Sequence, residues 1–443
     1  MTGILIFLKY ERDTVKEFAP DAKFTVNMMY RFDGIDYFKM SKEIDIASWD
    51  NYPTWHKPSE TVEETALDTG PDARPVLLHE GQALPADGIQ PLALPTGSRS
   101  PNRSAPALRS LRLCKRLHMV RTVCFTSSGG PAGVRKKSST VSVIGHDGRE
   151  DARPFRETVG VGQKLEMLSE IATVCRTKQA AIVHDWENKW ALEGSCGPRN
   201  AGMGYWDELK LHYNALAREG IAVEFVNQES DLTGYGLVVV PMVYLLTDAF
   251  AQKLCDFAQN GGTVVVTYWT GVVNESDLCR LGDTPYGLTD LLGLRRTEID
   301  GMYDGETCRC TPMDDSTLPE TQASVLCEVA SLNDTDPATP LSVYAEDYYA
   351  NCPAVAVHSY GEGRAYYLAS RFEEAFYRAF YRAAVKEVGL TPAWPEALPD
   401  GVLAARRGTF VFVQNCNEHP VEVGGVALNR YGTAVWKNGE QVL

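Results

Sequence analysis

The sequence predicts an α/β protein with three successive parts, and three patterns along its 443 residues carry that prediction. Near the amino terminus, short strands alternate with helical stretches, which is typical of βαβ units with a parallel sheet. In the middle, continuous apolar runs alternate with amphipathic helices, as in a doubly wound sheet. Over residues 401–443, apolar and polar residues alternate between Gly and Asn turns, which indicates a small antiparallel β domain.

Composition is that of an ordinary folded protein and excludes several classes. Hydrophobic residues make up 44% and charged residues 23% of the chain. Apolar runs stay well short of the ~20 residues that a membrane helix needs, so we expect no membrane partner. Eleven cysteines occur without a C-x-x-C pair, which argues against a disulfide framework and a four-thiolate zinc site. We therefore expect a cytoplasmic protein with reduced thiols.

The amino-terminal part contains three candidate strands, and polar or aromatic residues stand where each of them ends. The apolar runs lie at 24–28, 44–49 and 75–78, with helical stretches between them. If these strands belong to a (β/α)₈ barrel, their carboxyl ends hold the chemistry. The residues at or just past those ends are Asn27, Trp49, Asp50, Tyr52 and Glu80.

The order of these elements resembles a known enzyme family. The segment NMMYRFDGIDYFKMSKEIDIASWDNYPTWH, followed by RPVLLHE, is similar to the later barrel strands of family 42 glycoside hydrolases, the bacterial β-galactosidases. The resemblance implies that residues 1–160 are the second half of a barrel and that Glu80 is the nucleophile at the end of the seventh strand. His79 stands where the family usually has Met. An exposed loop carboxylate is the alternative interpretation of Glu80.

The same resemblance indicates residues for substrate binding. Trp49 and Tyr52 are candidates for sugar contact, because aromatic faces stack on the apolar side of a pyranose, and Asn27 and Asp50 complete the predicted set. A buried barrel rim is the alternative for the two aromatic residues. A retaining glycosidase also needs a second carboxylate, ~5 Å from the nucleophile. The family places it at the end of the fourth strand, whereas this chain begins in what resembles the helix before the fifth, so we expect this acid/base residue to be missing.

A segment of opposite charge interrupts the pattern. Residues 81–145 contain ten basic residues and one acidic residue, a net charge of +9, whereas the remainder has 33 basic and 57 acidic residues, a net charge of −24. Such a basic, Ser/Pro/Gly-rich stretch is also typical of a disordered arm that binds nucleic acid. Shifting the codons of residues 116–130 by one frame, however, permits AAHGADSVLYFQWR, which resembles the family's eighth-strand region. We therefore interpret residues 81–145 as out of frame and disordered, and expect no nucleic-acid partner.

Residues 161–392 are predicted to form a flavodoxin-like or amidotransferase-like doubly wound domain. Thr247 is placed to cap one amphipathic helix, and Gly220 to close another. The continuous apolar runs expected for buried parallel strands lie at 180–184, 221–226, 237–240 and 263–268.

The sequence does not support catalysis or ligand binding by this middle domain. After its first strand comes DWENKWALEG, where a phosphate loop would offer glycines. After its fourth strand come Tyr268, Trp269, Thr270 and Gly271, where an amidotransferase would place a cysteine nucleophile. The pair Cys308-x-Cys310 has no nearby His, so we expect no metal and no cofactor. The resemblance instead implies a trimerisation domain.

The remaining residues, 393–443, are predicted to form the small β domain. The whole pattern indicates the carboxyl-terminal part of a family 42 β-galactosidase, a homotrimer whose full-length form hydrolyses β-galactosides with retention. The chain alone is expected to be inactive. The alternative is a non-catalytic sugar-binding or assembly protein that keeps only the interface of the middle domain.

Overall fold

A computed structural model of the chain describes residues 2–28, 33–49, 61–73, 88–92, 122–126, 151, 153–174, 177–195, 197–199 and 202–443. The chain divides into two compact units. Unit 1 comprises Met1–Thr177 together with Ala393–Leu443, and unit 2 comprises Lys178–Pro392.

The amino-terminal part of unit 1 alternates helices and strands as predicted. Strands β1 and β2 pair in parallel, from Thr25 opposite Ile46 to Met28 opposite Trp49. The predicted strand at 75–78 lies outside the described residues. The elements are α1 (Thr2–Phe18), β1 (Thr25–Met28), α2 (Tyr37–Ser41), β2 (Ile46–Trp49) and α3 (Val62–Ala73).

Two short strands lie within the segment for which the sequence predicts disorder. Strand β3 (Gly88–Leu92) pairs in parallel with β4 (Thr122–Thr126). Both contain residues that favour extended backbone, such as Ile89 and Val123, and these suit a strand whatever reading frame produced them. That residues 81–145 are out of frame stays a prediction.

The carboxyl-terminal part of unit 1 is an antiparallel β domain, as predicted. Its main sheet has the order β16-β17-β20-β21, and β18 and β19 form a separate hairpin. The hairpin turns at Gly424 and Gly425, whose φ angles of 58° and 77° suit a tight two-residue connection. The strands are β16 (Val402–Arg407), β17 (Phe410–Asn415), β18 (Val421–Val423), β19 (Val426–Leu428), β20 (Thr433–Lys437) and β21 (Glu440–Gln441).

A helical segment of unit 1 packs on one face of this β domain. Helix α4 (Arg153–Met167) is followed by a 3₁₀ helix, Ser169–Thr173. Buried Leu168 and Ile171 join Phe410 and Phe412 in one apolar cluster. The segment therefore closes a core that the sheet alone leaves open.

Unit 2 is built around a doubly wound parallel sheet, which confirms the predicted fold class. Its parallel strands follow the order β6-β5-β7-β8-β14, the flavodoxin-like arrangement. The strands β5 to β8 are buried throughout, which explains their continuous apolar sequences. The elements are β5 (Ala180–Val183), α5 (Trp186–Gly194), α6 (Tyr205–Arg218), β6 (Val223–Val226), β7 (Leu237–Val240), α7 (Asp248–Gln259), β8 (Thr263–Thr267), α8 (Thr289–Leu292), β14 (Gly363–Leu368) and α9 (Glu374–Val388).

Antiparallel strands extend this sheet and close into a ring. Strand β11 pairs β10 on one edge and β15 on the other, and Ala369 alone separates β14 from β15. Because β14 pairs β13, β13 pairs β12 and β12 pairs β10, the pairing returns to β11. Strand β9 also pairs with β11. It lies on the same edge of β11 as β10 does, but along residues 326–332. These strands are β9 (Leu294–Gly301), β10 (Cys308–Pro312), β11 (Thr321–Leu332), β12 (Thr339–Tyr344), β13 (Pro353–Tyr360) and β15 (Ser370–Arg371).

Candidate functional site

Two of the predicted site residues lie at the same edge of the β1–β2 pair. Asn27 is the third residue of β1 and Trp49 is the last residue of β2. In the parallel register Asn27 stands opposite Ser48, and Met28 stands opposite Trp49. The backbone thus brings these two positions to the carboxyl ends of neighbouring strands, where barrel enzymes hold their chemistry.

The other predicted site residues fall outside the part of the chain that the structure describes. Asp50, Tyr52 and Glu80 are in this group, and so is His79. Their roles as substrate-binding residues and as nucleophile therefore stay predictions.

At the opposite ends of the same two strands, a carboxylate joins β1, β2 and α1. The Asp45 carboxylate accepts a hydrogen bond from the Phe24 backbone N–H at 2.9 Å, and its Oδ2 lies 3.1 Å from Lys16 Nζ. Burial alone would raise the pKa of Asp45, but the Phe24 N–H and the Lys16 ammonium outweigh it and lower the pKa. Asp45 thus links the amino-terminal ends of the two strands to α1 by a hydrogen bond and an ion pair.

Unit 2 contains a buried carboxylate at the carboxyl edge of its parallel sheet. Glu208, on α6, is fully buried. Its Oε1 accepts a hydrogen bond from the Tyr377 hydroxyl at 2.7 Å and lies 3.1 Å from His212 Nε2. Its Oε2 accepts from the Tyr268 hydroxyl at 2.9 Å and from Arg371 Nε at 2.8 Å. One side chain therefore ties α6 to the residue that follows β8, to β15 and to α9.

Strong charge compensation keeps this buried carboxylate ionised. Desolvation by itself would raise the pKa of Glu208, but the hydrogen bond from His212 and the charge of Arg371 lower it to about 2. Breaking such a pair leaves an uncompensated charge in the interior, which is costly. The Glu208 group is therefore a cross-link within unit 2.

A second buried carboxylate lies beside the turn that follows β8. Trp269 has a φ of 60°, in the left-handed region that side chains rarely adopt. Its backbone N–H donates to Glu328 Oε1 at 3.0 Å, and Arg296 Nη1 donates to the same oxygen at 2.6 Å. The Tyr367 hydroxyl donates to the other carboxylate oxygen. Glu328 thus holds the strained turn in place.

These two groups are suited to stability and not to catalysis. Both carboxylates are inaccessible, and each of their oxygens accepts hydrogen bonds from protein groups. The strained position carries tryptophan, whose side chain offers no nucleophile. The two carboxylates at this edge of the sheet are therefore fully occupied by protein groups.

Sequence reasoning missed the Glu208 group, although one local pattern pointed to it. Glu208 and His212 share the face of α6 that also carries Leu209, Tyr213 and Leu216, all of them buried. Two ionisable residues four apart on an apolar face require polar partners from elsewhere in the fold. Their partners after β8, on β15 and on α9 are not evident from the helix alone.

The C-x-C pair lies in the part of the chain that the structure describes. Within it, no three His, Cys, Asp or Glu side chains are grouped so as to hold a metal ion. The thiols of Cys308 and Cys310 are buried, and burial raises the pKa of both. None of the described helices is long and apolar enough to span a bilayer.

Comparison with known families shows two successive matches. A family model described as the β-galactosidase trimerisation domain of family 42 matches residues 178–391. The family 42 model described as β-galactosidase matches residues 1–82. Their order is the one that the sequence resemblance implies.

Individual relatives agree with these matches. The β-galactosidase BglY of Alicyclobacillus acidocaldarius is 35% identical over 97% of this chain and 65% of its own length. GanA of Bacillus subtilis is 31% identical over 92% of this chain and 62% of its own length. The crystal structure of a β-galactosidase from Rahnella sp. R3 is 31% identical, with a TM-score of 0.88 over 98% of this chain and 66% of that one. The chain thus spans less than two thirds of each relative, and it belongs to family 42 of the glycoside hydrolases.

Proposed function

We propose that this chain is the carboxyl-terminal part of a retaining β-galactosidase and contributes its nucleophile, Glu80. The observation that carries the proposal is the 35% identity to a β-galactosidase across nearly the whole chain. The placement of Asn27 and Trp49 at the carboxyl ends of two parallel strands supports it, since the chemistry of barrel enzymes lies at that edge.

The proposed reaction has two steps. A carboxylate oxygen of Glu80 forms a bond to the anomeric carbon while the glycosidic C–O bond breaks and a second carboxylic acid protonates the leaving oxygen. That second residue then takes a proton from water, which displaces Glu80 and restores the original configuration. In this scheme Trp49 and Tyr52 stack on the sugar, and Asn27 and Asp50 bond its hydroxyls.

Glu80 is the one residue that the sequence resemblance supplies for these two carboxylate roles. General acid assistance contributes on the order of 10²–10⁴ in rate. We therefore propose that the chain alone does not hydrolyse lactose, whose leaving group requires protonation.

An activated inhibitor tests the nucleophile without requiring the acid. The leaving group of 2,4-dinitrophenyl 2-deoxy-2-fluoro-β-galactoside departs without protonation, so trapping requires only a bound sugar and a nucleophile. We expect the 443-residue chain to acquire one fluorogalactosyl group on Glu80, located by peptide mass spectrometry, and the Glu80→Gln variant to acquire none.

A matched variant controls for the neighbouring residue. His79→Met restores the usual family residue and should label at least as fast as the natural chain. Labelling of another residue, or equal labelling of Glu80→Gln, would contradict the proposal. Galactoside binding without labelling would favour the sugar-binding alternative.

We also propose that the chain assembles as a homotrimer through unit 2 and acts in the cytoplasm. The match of residues 178–391 to a trimerisation domain supports the assembly. The full occupation of its two buried carboxylates by protein groups supports a structural role for the unit. The scattered cysteines without a C-x-x-C pair support a reducing compartment. Light scattering of the purified chain tests the assembly, and a stable monomer at tens of micromolar would contradict it.

A further inference from the structure

We propose that the contact between copies is centred on strand β9, through a surface formed by Leu281, Ile299, Tyr303 and Tyr348. We call these four residues the β9 surface. The inference rests on the proposed homotrimer and adds the face through which it forms. The occupant is a second copy of this chain.

The exposed apolar residues of unit 2 are confined to one stretch of sequence. Among its described residues, 178–195, 197–199 and 202–392, the large apolar side chains with more than a third of their surface exposed all lie between residues 278 and 348. They are Leu278 (63%), Leu281 (90%), Ile299 (37%), Tyr303 (79%), Met313 (41%) and Tyr348 (68%). In the same described residues, helices α5, α6, α7 and α9 expose none. Contiguous exposed apolar surface marks an interaction site far more often than scattered single residues do.

Strand β9 connects these side chains in space. At its start, the Arg296 N–H donates to the Thr284 carbonyl at 2.6 Å, three residues beyond Leu281. In its middle, Glu298 accepts from the Tyr348 hydroxyl at 3.1 Å, and Ile299 follows on the strand itself.

Part of the outer edge of β9 is also available to a partner, whereas Pro198 and Arg199 pack against Gly301 and Met302 at the end of the strand. The strand pairs β11 along one edge, and in the described chain the other edge, over residues 297–300, pairs with no strand. Tyr303 lies just beyond the end of β9 and the segment that follows Leu281 meets its start, so exposed apolar side chains lie near both ends of the strand. An uncovered strand edge with apolar neighbours is a ready template for association. A specific interface buries about 800 Å² on each partner, so the strand and its flanking loops would have to take part together.

Charge and family membership favour a second copy as the occupant. Glu298 and Asp300, both on β9, place two carboxylates at this surface, whereas Asp304 is paired with Arg199. The two carboxylates disfavour a nucleic acid or an anionic bilayer as the partner. The whole unit matches a domain described by self-association. In a closed three-fold ring each copy presents this surface to a different patch of its neighbour.

The test compares two double variants of the full chain with equal charge changes. Leu281→Glu with Tyr303→Glu places two carboxylates on the β9 surface, at positions too exposed to disturb the core. Ala249→Glu with Ala383→Glu places two on exposed positions of α7 and α9. Light scattering over a concentration series measures the dissociation constant of the trimer. We expect it to rise about 100-fold or more in the first variant, since two central apolar anchors are lost, and to stay unchanged in the second.

Hydrogen exchange of the unmodified chain gives an independent readout. Amides of residues 297–303 should exchange more slowly at tens of micromolar than at concentrations where the chain dissociates. If the wild-type chain is trimeric and the first variant dissociates no more readily than the second, the β9 surface is wrong and the trimer stands. If protection appears on α7 or α9 instead, the surface is likewise wrong. A monomeric wild-type chain would overturn both.

Discussion

Two amphipathic helices of similar length, one in each unit, differ in how much of their apolar surface is buried. Helix α1 has 17 residues and α9 has 15. The side chains that α9 buries are Phe376, Tyr377, Phe380, Tyr381, Ala384 and Val385. Helix α1 buries Leu8, and the large apolar side chains that it exposes are Ile4, Ile6, Phe7, Tyr10, Val15 and Phe18. The same kind of sequence pattern therefore has very different packing in the two units.

Helix α1 is held by ion pairs, whereas α9 is held by apolar burial. Lys9 and Arg12 each lie 2.7 Å from a Glu43 carboxylate oxygen, and Lys16 pairs with Asp45. Partly exposed pairs of this kind contribute about 0.2–1 kcal/mol each, whereas a fully buried aliphatic or aromatic side chain contributes ~1.5–3 kcal/mol. Periodicity therefore predicts that a helix forms, but the stability of the helix depends on what covers its apolar face.

The largest expected effect comes from the Glu208 group of unit 2. In Glu208→Ala, Arg371 keeps its buried charge and loses the carboxylate, and three neighbouring side chains lose their acceptor. We expect unit 2 to lose about 3–5 kcal/mol of unfolding free energy, measured by hydrogen exchange of its core amides. Glu362→Gln, at an exposed position, is the control and should change little. A loss below 1 kcal/mol in Glu208→Ala would show that the group is not a cross-link.

Acid pH should weaken unit 2 through the same carboxylate. The folded-state pKa of Glu208 is lowered from 4.5 to about 2, so its contribution is fully present above pH 4.5 and is lost as the pH falls towards 2. The difference corresponds to about 3 kcal/mol. Unfolding at stepwise pH should show this loss in the natural chain and not in Glu208→Gln. Equal pH dependence in both would contradict the assigned role.

A matched pair of valines tests the helix comparison directly. Val385 of α9 is 4% exposed, and Val15 of α1 is 49% exposed. Val385→Ala should cost about 2 kcal/mol, because buried methyl groups are lost. Val15→Ala should be neutral or stabilising by up to ~0.5 kcal/mol, since alanine favours the helix. Local stabilities from hydrogen exchange provide the measurement. Equal costs would mean that α1 is as well packed as α9.

Local patterns were enough to predict the parallel sheet and the tail. The apolar runs at 180–184, 237–240 and 263–268 contain β5, β7 and β8, because strands buried on both faces need uninterrupted apolar residues. The hairpin at Gly424 follows from turn chemistry. Each of these features depends on residues close in sequence.

The antiparallel ring was not predicted, because its pairings are not local. Strand β15 reaches β11 across more than forty residues, as Ser324 pairs with Arg371. The register of β11 also shifts beside Val325, whose φ is 74°. A residue in the left-handed region inside a strand breaks the alternation on which strand prediction relies.

For the candidate site, too, local features can be predicted from the sequence and long-range contacts cannot. Strand ends are readable from sequence, and Asn27 and Trp49 do lie at one edge of the β1–β2 pair, whereas their roles stay predictions. The Glu208 group joins residues up to 169 positions apart. Such a group has no sequence signature beyond a polar residue on an apolar face, and its partners emerge only when the chain is folded.

The smallest expected effect is a difference between the two units in how much a helix cap contributes to stability. In unit 2, Thr247 Oγ1 accepts from the Phe250 N–H at 3.2 Å and also lies 3.2 Å from Gln228 Oε1. In unit 1, Thr61 and Glu64 form an exposed reciprocal cap at the start of α3, with the Thr61 hydroxyl accepting from the Glu64 N–H at 3.1 Å. Losing a cap costs ~1 kcal/mol, and Thr247→Ala also loses the hydroxyl's bond to Gln228 Oε1, which keeps only the bond from the residue-247 backbone N–H.

We therefore expect Thr247→Ala to cost about 1–2 kcal/mol and Thr61→Ala about 0.5–1 kcal/mol. The exchange rates of the Phe250 and Glu64 amides report each change, and a cost of 1 kcal/mol corresponds to a rise of about fivefold. Thr→Ser at either position keeps the accepting oxygen and should restore most of the protection. If the exposed cap proves as costly as the partly buried one, burial does not explain the difference between the units, and the helix comparison loses its physical basis.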